Sequence, residues 1–110
     1  MQTNKDLILP EKATMQDFQT YVKNLELIRG FSNELVIEKC LMLGEEVGEL
    51  FKSVRKENKM KVDSNSKFGE ISHEIADVFI LLLTIANKYE IDLEKAFRTK
   101  EEINKKRNWS

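Results

Sequence analysis

The sequence predicts an all-α protein, on three observations. Gly and Pro are scarce, with 4 and 1 in 110 residues, and β-branched alternation is rare. Apolar residues instead recur at helical spacing. Polar residues suited to capping stand ahead of the apolar runs. Hydrophobic residues make up 41% and charged residues 34%, the balance of a globular domain with much helical surface in water. A chain of this length is one domain, near the lower limit for independent stability.

Residues 1–13 are polar, contain Pro10, and read as a flexible N-terminal arm before a single helical domain over 14–110. Thr14 with Asp17 forms a capping pair for a first helix. That helix carries Phe18, Val22 and Leu25 and ends near Gly30. Ser32 or Asn33 caps a second, longer helix that runs to about Lys59. On it Val36, Cys40, Leu43, Val47, Leu50, Phe51 and Val54 form one apolar stripe, flanked by Glu38, Glu45, Glu46 and Glu49. Gly44 and Gly48 each cost about 1 kcal/mol relative to Ala inside a helix. They mark either a close approach by another helix, from this chain or a second copy, or two tolerated surface positions. The stretch from Lys61 to Gly69 breaks the pattern and reads as a loop. A third helix follows from about Glu70 to Tyr89, apolar around most of its circumference and therefore expected at the centre. Asp92 caps a fourth, from Leu93 to about Arg107.

Charge and cysteine usage exclude several classes. Eighteen basic residues nearly balance nineteen acidic ones, so bulk charge makes no case for nucleic acid or a membrane surface. Cys40 is the single cysteine, which rules out an internal disulfide and suits a reducing compartment. No window approaches the roughly 20 apolar residues of a membrane span, and the N-terminus lacks a hydrophobic signal core, so the cytoplasm is expected.

The chemistry is concentrated in the acids. Asp77 interrupts the apolar run from Ile75 to Leu83 and is expected to be buried there. A lone buried carboxylate costs several kcal/mol unless paired or bound to a metal. Glu74 lies one turn before it on the same face. Glu46 and Glu49 are three apart and Glu45 and Glu49 four apart, so each pair presents two carboxylates side by side. If the second and third helices pack antiparallel, the pairs face each other across one groove, a set of hard oxygen donors suited to magnesium or manganese. Glu45 could equally be a solvated residue beside Lys52 or Lys56. Cys40 and His73 do not form a zinc set. Glu70 and His73 make one Glu-x-x-His pair of the kind used in di-iron bundles, although a surface histidine at a helix start is the simpler reading.

On the fourth helix, the apolar stripe of Leu93, Ala96 and Phe97 continues as Lys100, Asn104 and Arg107, with Ile103 beside it. That end could grip an anion or could simply suit the negative end of the helix dipole. Trp109 could stack on a base or cover the end of the core.

Leu43-Gly44-Glu45-Glu46-Val47-Gly48-Glu49-Leu50 followed by Glu74-Ile75-Ala76-Asp77-Val78 resembles the MazG-type all-α nucleoside triphosphate pyrophosphohydrolases, relatives of the dimeric dUTPases. Arg29-Gly30-Phe31 and the later Lys100, Asn104, Lys105, Arg107 and Trp109 fit the same pattern, so the likeness spans Phe18 to Trp109. The resemblance implies a four-to-five-helix bundle completed by dimerisation, as a homodimer or homotetramer. It implies hydrolysis of a (d)NTP between the α- and β-phosphates, giving (d)NMP and pyrophosphate, in nucleotide-pool house-cleaning. It makes Glu46, Glu49, Glu74 and Asp77 ligands of Mg2+, for which Mn2+ can substitute. Glu45 and Glu46 become catalytic, Glu45 by binding a further ion or orienting the attacking water. Lys100, Asn104, Arg107 and Trp109 become substrate-binding, with no nucleic-acid or membrane partner. The alternatives are a non-catalytic helical dimerisation module and a di-iron carboxylate bundle.

Overall fold

A computed structural model describes residues 1–66 and 69–109. Its elements are a 3-10 turn at Asn4–Asp6 and four helices, α1 (Met15–Ile28), α2 (Val36–Glu57), α3 (Ile71–Lys88) and α4 (Leu93–Asn104). The all-α class is as expected. Of the loop expected over 61–69, Lys67 and Phe68 lie outside the described residues, as does Ser110 at the end of the expected domain. No helix among the described residues is long and apolar enough to cross a membrane.

Local chemistry sets the helix ends. The Asp17 N–H donates to Thr14 Oγ1 at 3.1 Å while Asp17 Oδ2 accepts from the Thr14 N–H at 2.8 Å, so two otherwise unpaired donors are satisfied reciprocally. Beyond α1, Gly30 takes φ +77° and the Phe31 N–H donates back to Glu26 O at 2.8 Å. That is a Schellman closure, which needs the left-handed backbone a glycine adopts without strain. Asp92 Oδ1 accepts from the Lys95 N–H at 3.0 Å and opens α4. The start of α2 departs from expectation. Neither Ser32 nor Asn33 caps it; Leu35 holds the cap position, and Glu38 Oε1 accepts the Leu35 N–H at 3.3 Å. A carboxylate in the first turn thus supplies the half of a capping box that reaches back to the cap N–H, and it complements the helix dipole. The fourth helix stops at Asn104, short of Arg107.

The chain divides into two compact units, Met1–Asn33 with Ala86–Ser110, and Glu34–Ile85. In the first, α1 packs on α4 over a core that includes Val22, Leu25 and Ala86. Gln19 is buried in it and ties the elements together. Its Nε2 donates to Asn87 Oδ1 at 3.0 Å and to Ile91 O at 2.8 Å, and its Oε1 accepts the Leu93 N–H at 3.0 Å. The N-terminal arm is joined to α1 where Arg29 Nε donates to Asn4 Oδ1 at 3.0 Å.

In the second unit α2 and α3 run antiparallel, because Glu46 meets Glu74 and Asp77 while Ser53, further along α2, meets Gly69 ahead of α3. Leu81, Leu83 and Thr84 of α3 are buried. The most deeply covered arc of α2 is not centred on the expected apolar stripe. It holds Lys39, 1% exposed, the half-buried Glu46, and Ser53, residues seven apart and so on one face. Lys39 Nζ stands 3.7 Å from Glu34 Oε2. Of the stripe, Cys40, Phe51 and Val54 are exposed and Val36, Leu43, Val47 and Leu50 half-buried. The most deeply covered positions of α2 are polar, and the arc opposite Glu46, with Ile37, Leu41 and Phe51, is exposed. Similarly, α3 is not enclosed all round: Ile75 is 53% exposed and Leu82 45%.

Candidate metal centre

Glu46 on α2 and Glu74 and Asp77 on α3 each offer a carboxylate oxygen within 4.8 Å of the others. The one-turn separation of Glu74 and Asp77 puts both on one side of α3, and the antiparallel pairing brings Glu46 across to them. Glu74 is buried, 7% exposed. Asp77 is exposed, contrary to the expected burial. The reason is visible beside it: Ile75 and Ala76 are exposed as well, so the apolar run does not enclose the carboxylate.

Glu74 is held from behind. Its Oε1 accepts the Gly69 N–H at 3.0 Å, and the Gly69 carbonyl accepts from Ser53 Oγ at 2.8 Å. Sequence reasoning passed over both residues. Ser53 carries a legible signal, since it lies two turns beyond Glu46 on the same face of α2. Gly69 carries none beyond closing a loop.

Three carboxylates so close repel one another. Glu46 has its pKa raised above the ordinary 4.5, first by burial, then by Asp77, Glu74, Glu49 and Glu45 in turn. All five acids therefore share one field. The donor set suits a hard divalent cation. It is all oxygen, with no His or Cys among the three, and its mutual repulsion is relieved by a positive charge. Magnesium or manganese fits; zinc, which favours nitrogen and sulfur, fits less well.

The remaining candidates lie outside that triad. Glu49 is half-exposed, 3.7 Å from Lys52 Nζ, and Glu45 is exposed. His73 and Glu70 are both strongly exposed on the surface, 4.0 Å apart. Lys100, Asn104, Arg107 and Trp109 belong to the other unit. There Asn104 is half-buried and the other three exposed. Arg107 follows the end of α4, its N–H donating to Asn104 O at 3.0 Å, and its guanidinium stands 5.8 Å from the Trp109 ring centroid. Phe97, expected on the apolar stripe, is exposed.

A family profile, the MazG nucleotide pyrophosphohydrolase domain, matches residues 34–108. No curated protein sequence matches the chain significantly. Among solved structures, iMazG from Vibrio DAT 722 is 28% identical with TM-score 0.65, over 84% of this chain and 98% of that one. A second structure of that protein gives 27% identity and TM-score 0.65, over 88% and 99%. YPJD from Bacillus subtilis, a candidate pyrophosphatase, is 25% identical with TM-score 0.75, over 90% and 100%.

Proposed function

Since the chain belongs to the MazG nucleotide pyrophosphohydrolase family and is thus a nucleotide pyrophosphohydrolase, we propose that it hydrolyses (d)NTPs between the α- and β-phosphates. The products are (d)NMP and pyrophosphate, the reaction depends on Mg2+ with Mn2+ as a substitute, and its role is house-cleaning of cytoplasmic nucleotide pools. The observation that carries this reading is the convergence of Glu46, Glu74 and Asp77 within 4.8 Å.

In the proposed mechanism Glu46, Glu74 and Asp77 hold the cation, with Glu49 completing the set. A bound divalent ion supplies charge neutralisation for the polyphosphate and a lower pKa for water. Glu45 orients the attacking water and takes its proton, with Glu46 beside it. The oxygen of that water bonds to the α-phosphorus as the bond to the bridging oxygen breaks, and pyrophosphate leaves. Such chemistry depends mainly on positioning and fixed charge, which carboxylates on two packed helices provide. Lys100, Asn104 and Arg107 bind phosphate or sugar, and Trp109 stacks on the base.

The same proposal includes self-association. Ile37, Leu41, Gly44, Gly48 and Phe51 fall on one side of α2 at helical spacing, about 180° from Glu46. Ile37, Leu41 and Phe51 are exposed, and no described atom stands within 4 Å of where a Cβ would sit on Gly44 or Gly48. An apolar strip with two glycines at its middle suits a second copy of the same helix.

A panel of canonical and modified triphosphates, assayed with Mg2+ and after chelation, tests the reading. Pyrophosphate is expected as product, with activity lost on chelation. Release of orthophosphate alone, or turnover unaffected by metal removal, overturns it.

A further inference from the structure

In the second unit one residue, Gly69, is held at both of its backbone polar groups. The Gly69 N–H donates to Glu74 Oε1 at 3.0 Å and the Gly69 carbonyl accepts from Ser53 Oγ at 2.8 Å. Both partners are buried, Ser53 at 4% exposure. A Cβ at position 69 would stand 2.8 Å from that same Glu74 oxygen, so any other residue there would make the Glu74 carboxylate shift. The geometry also joins the two helices that carry the triad. Ser53 is on the helix of Glu46, and Glu74 is on the helix of Asp77.

We infer that Ser53 and Gly69 are positioning residues for the proposed cation centre. The Ser53 hydroxyl fixes the Gly69 carbonyl, and through that residue the Gly69 N–H holds the Glu74 carboxylate with one oxygen engaged and the other left for the cation. This inference rests on the metal reading given above. Its physical basis is that a buried carboxylate facing two others is driven to rotate away from them. A backbone N–H on one oxygen opposes that rotation, because hydrogen bonds to an ionised acceptor are stronger than neutral ones. Groups that orient a metal's ligands in this way commonly govern affinity by about 10- to 100-fold. Ser53 therefore sets the separation of Glu46 from Glu74 and Asp77 without touching the cation.

The test uses the purified full chain without nucleotide. Mn2+ affinity is read from the disappearance of the free-ion electron paramagnetic resonance signal. Backbone geometry is read by selective 15N-glycine labelling, which gives one amide signal for each of 4 glycines. Ser53→Ala and Gly69→Ala are each expected to weaken Mn2+ binding about tenfold with helical circular dichroism retained, and Ser53→Thr, which keeps the hydroxyl, to retain most of the affinity. In the unmutated chain, Mg2+ is expected to move the Gly69 amide signal and leave that of Gly30 in place. That measurement stands even if a variant fails to fold. Wild-type Mn2+ affinity in folded variants whose melting temperature alone has dropped would show a merely structural role and overturn the inference. So would a Gly69 signal indifferent to Mg2+ in a chain that binds it. If the unmutated chain binds neither ion, the cation centre falls and this inference with it.

Discussion

Glu74 and Asp77 stand one turn apart yet meet opposite surroundings, one buried and hydrogen-bonded, the other exposed. Neutralising Asp77 therefore removes charge without opening a cavity. Asp77→Asn is expected to leave the helical fold intact, to keep or raise the melting temperature of the metal-free chain, and to lower kcat about a thousandfold. Glu49→Gln should act in the same direction. Full turnover in either purified variant refutes the assigned roles. His73→Ala is the contrasting case: exposed and outside the triad, it should change neither turnover nor metal affinity, and iron-dependent loss of function in it would favour a di-iron centre. Glu46 adds a pH dependence with a definite sign. Its raised pKa means that the folded chain prefers it protonated. It therefore contributes stability below the ordinary value of 4.5, and that contribution is lost as pH rises through the raised value. Cation binding requires the ionised form, so Mg2+ should stabilise the chain more at pH 7 than near pH 4. At a hundredfold excess over its Kd the gain at pH 7 is about 2.7 kcal/mol, or roughly 10 °C in melting temperature. Equal gains at the two pH values, followed by thermal melts, would count against the repulsion described for Glu46.

The elements were legible in the sequence to the extent that their causes are local. Thr14 with Asp17, Gly30 and Asp92 mark helix ends by hydrogen bonds between residues a few positions apart, and the structure has all three in place. The α2 start was misread because the helix begins at an apolar cap residue, Leu35, whose N–H is held by the Glu38 side chain. The larger departure concerns which side of α2 faces the chain. Hydrophobic periodicity locates an apolar face but not the partner that covers it. Here Lys39 and Ser53 are covered and Phe51 is not. The acids of the candidate centre could be read from their spacing, whereas the burial of Glu74 rather than Asp77, and the Gly69 bridge behind it, depend on how two helices meet. Gln19 is a similar case, since its partners Asn87, Ile91 and Leu93 are distant in sequence. Gln19→Ala would leave the Leu93 N–H and the Asn87 and Ile91 acceptors without that partner. It is expected to destabilise the chain by about 3 kcal/mol, read as a lower midpoint in urea. A loss under about 0.5 kcal/mol would mean that water replaces the amide without penalty.

For the molecule as a whole, the exposed strip on α2 has a consequence that composition alone would not suggest. The balanced charge makes no case for nucleic acid or a membrane surface, but Ile37, Leu41 and Phe51 present apolar surface beside two glycines with open space above them. Large side chains kept in water forgo roughly 1.5–3 kcal/mol each relative to burial. The glycines lower helix stability and gain nothing from this chain's own packing. Pairing with an identical strip would recover both, since an isologous interface places each strip against its own copy and glycines let two backbones approach closely. The expected mass in light scattering is therefore about twice, or four times, the 12.9 kDa of the chain. The double variant Leu41→Glu with Phe51→Glu should run as a monomer, because like charges would meet across the axis. Glu46, Glu74 and Asp77 lie within one copy and Glu46 points about 180° away from the strip, so the monomeric variant should keep its Mn2+ affinity within about threefold. An unmutated chain that stays at 12.9 kDa at micromolar concentration would refute the self-association. A double variant that becomes monomeric and loses Mn2+ altogether would instead show that the centre depends on the second copy.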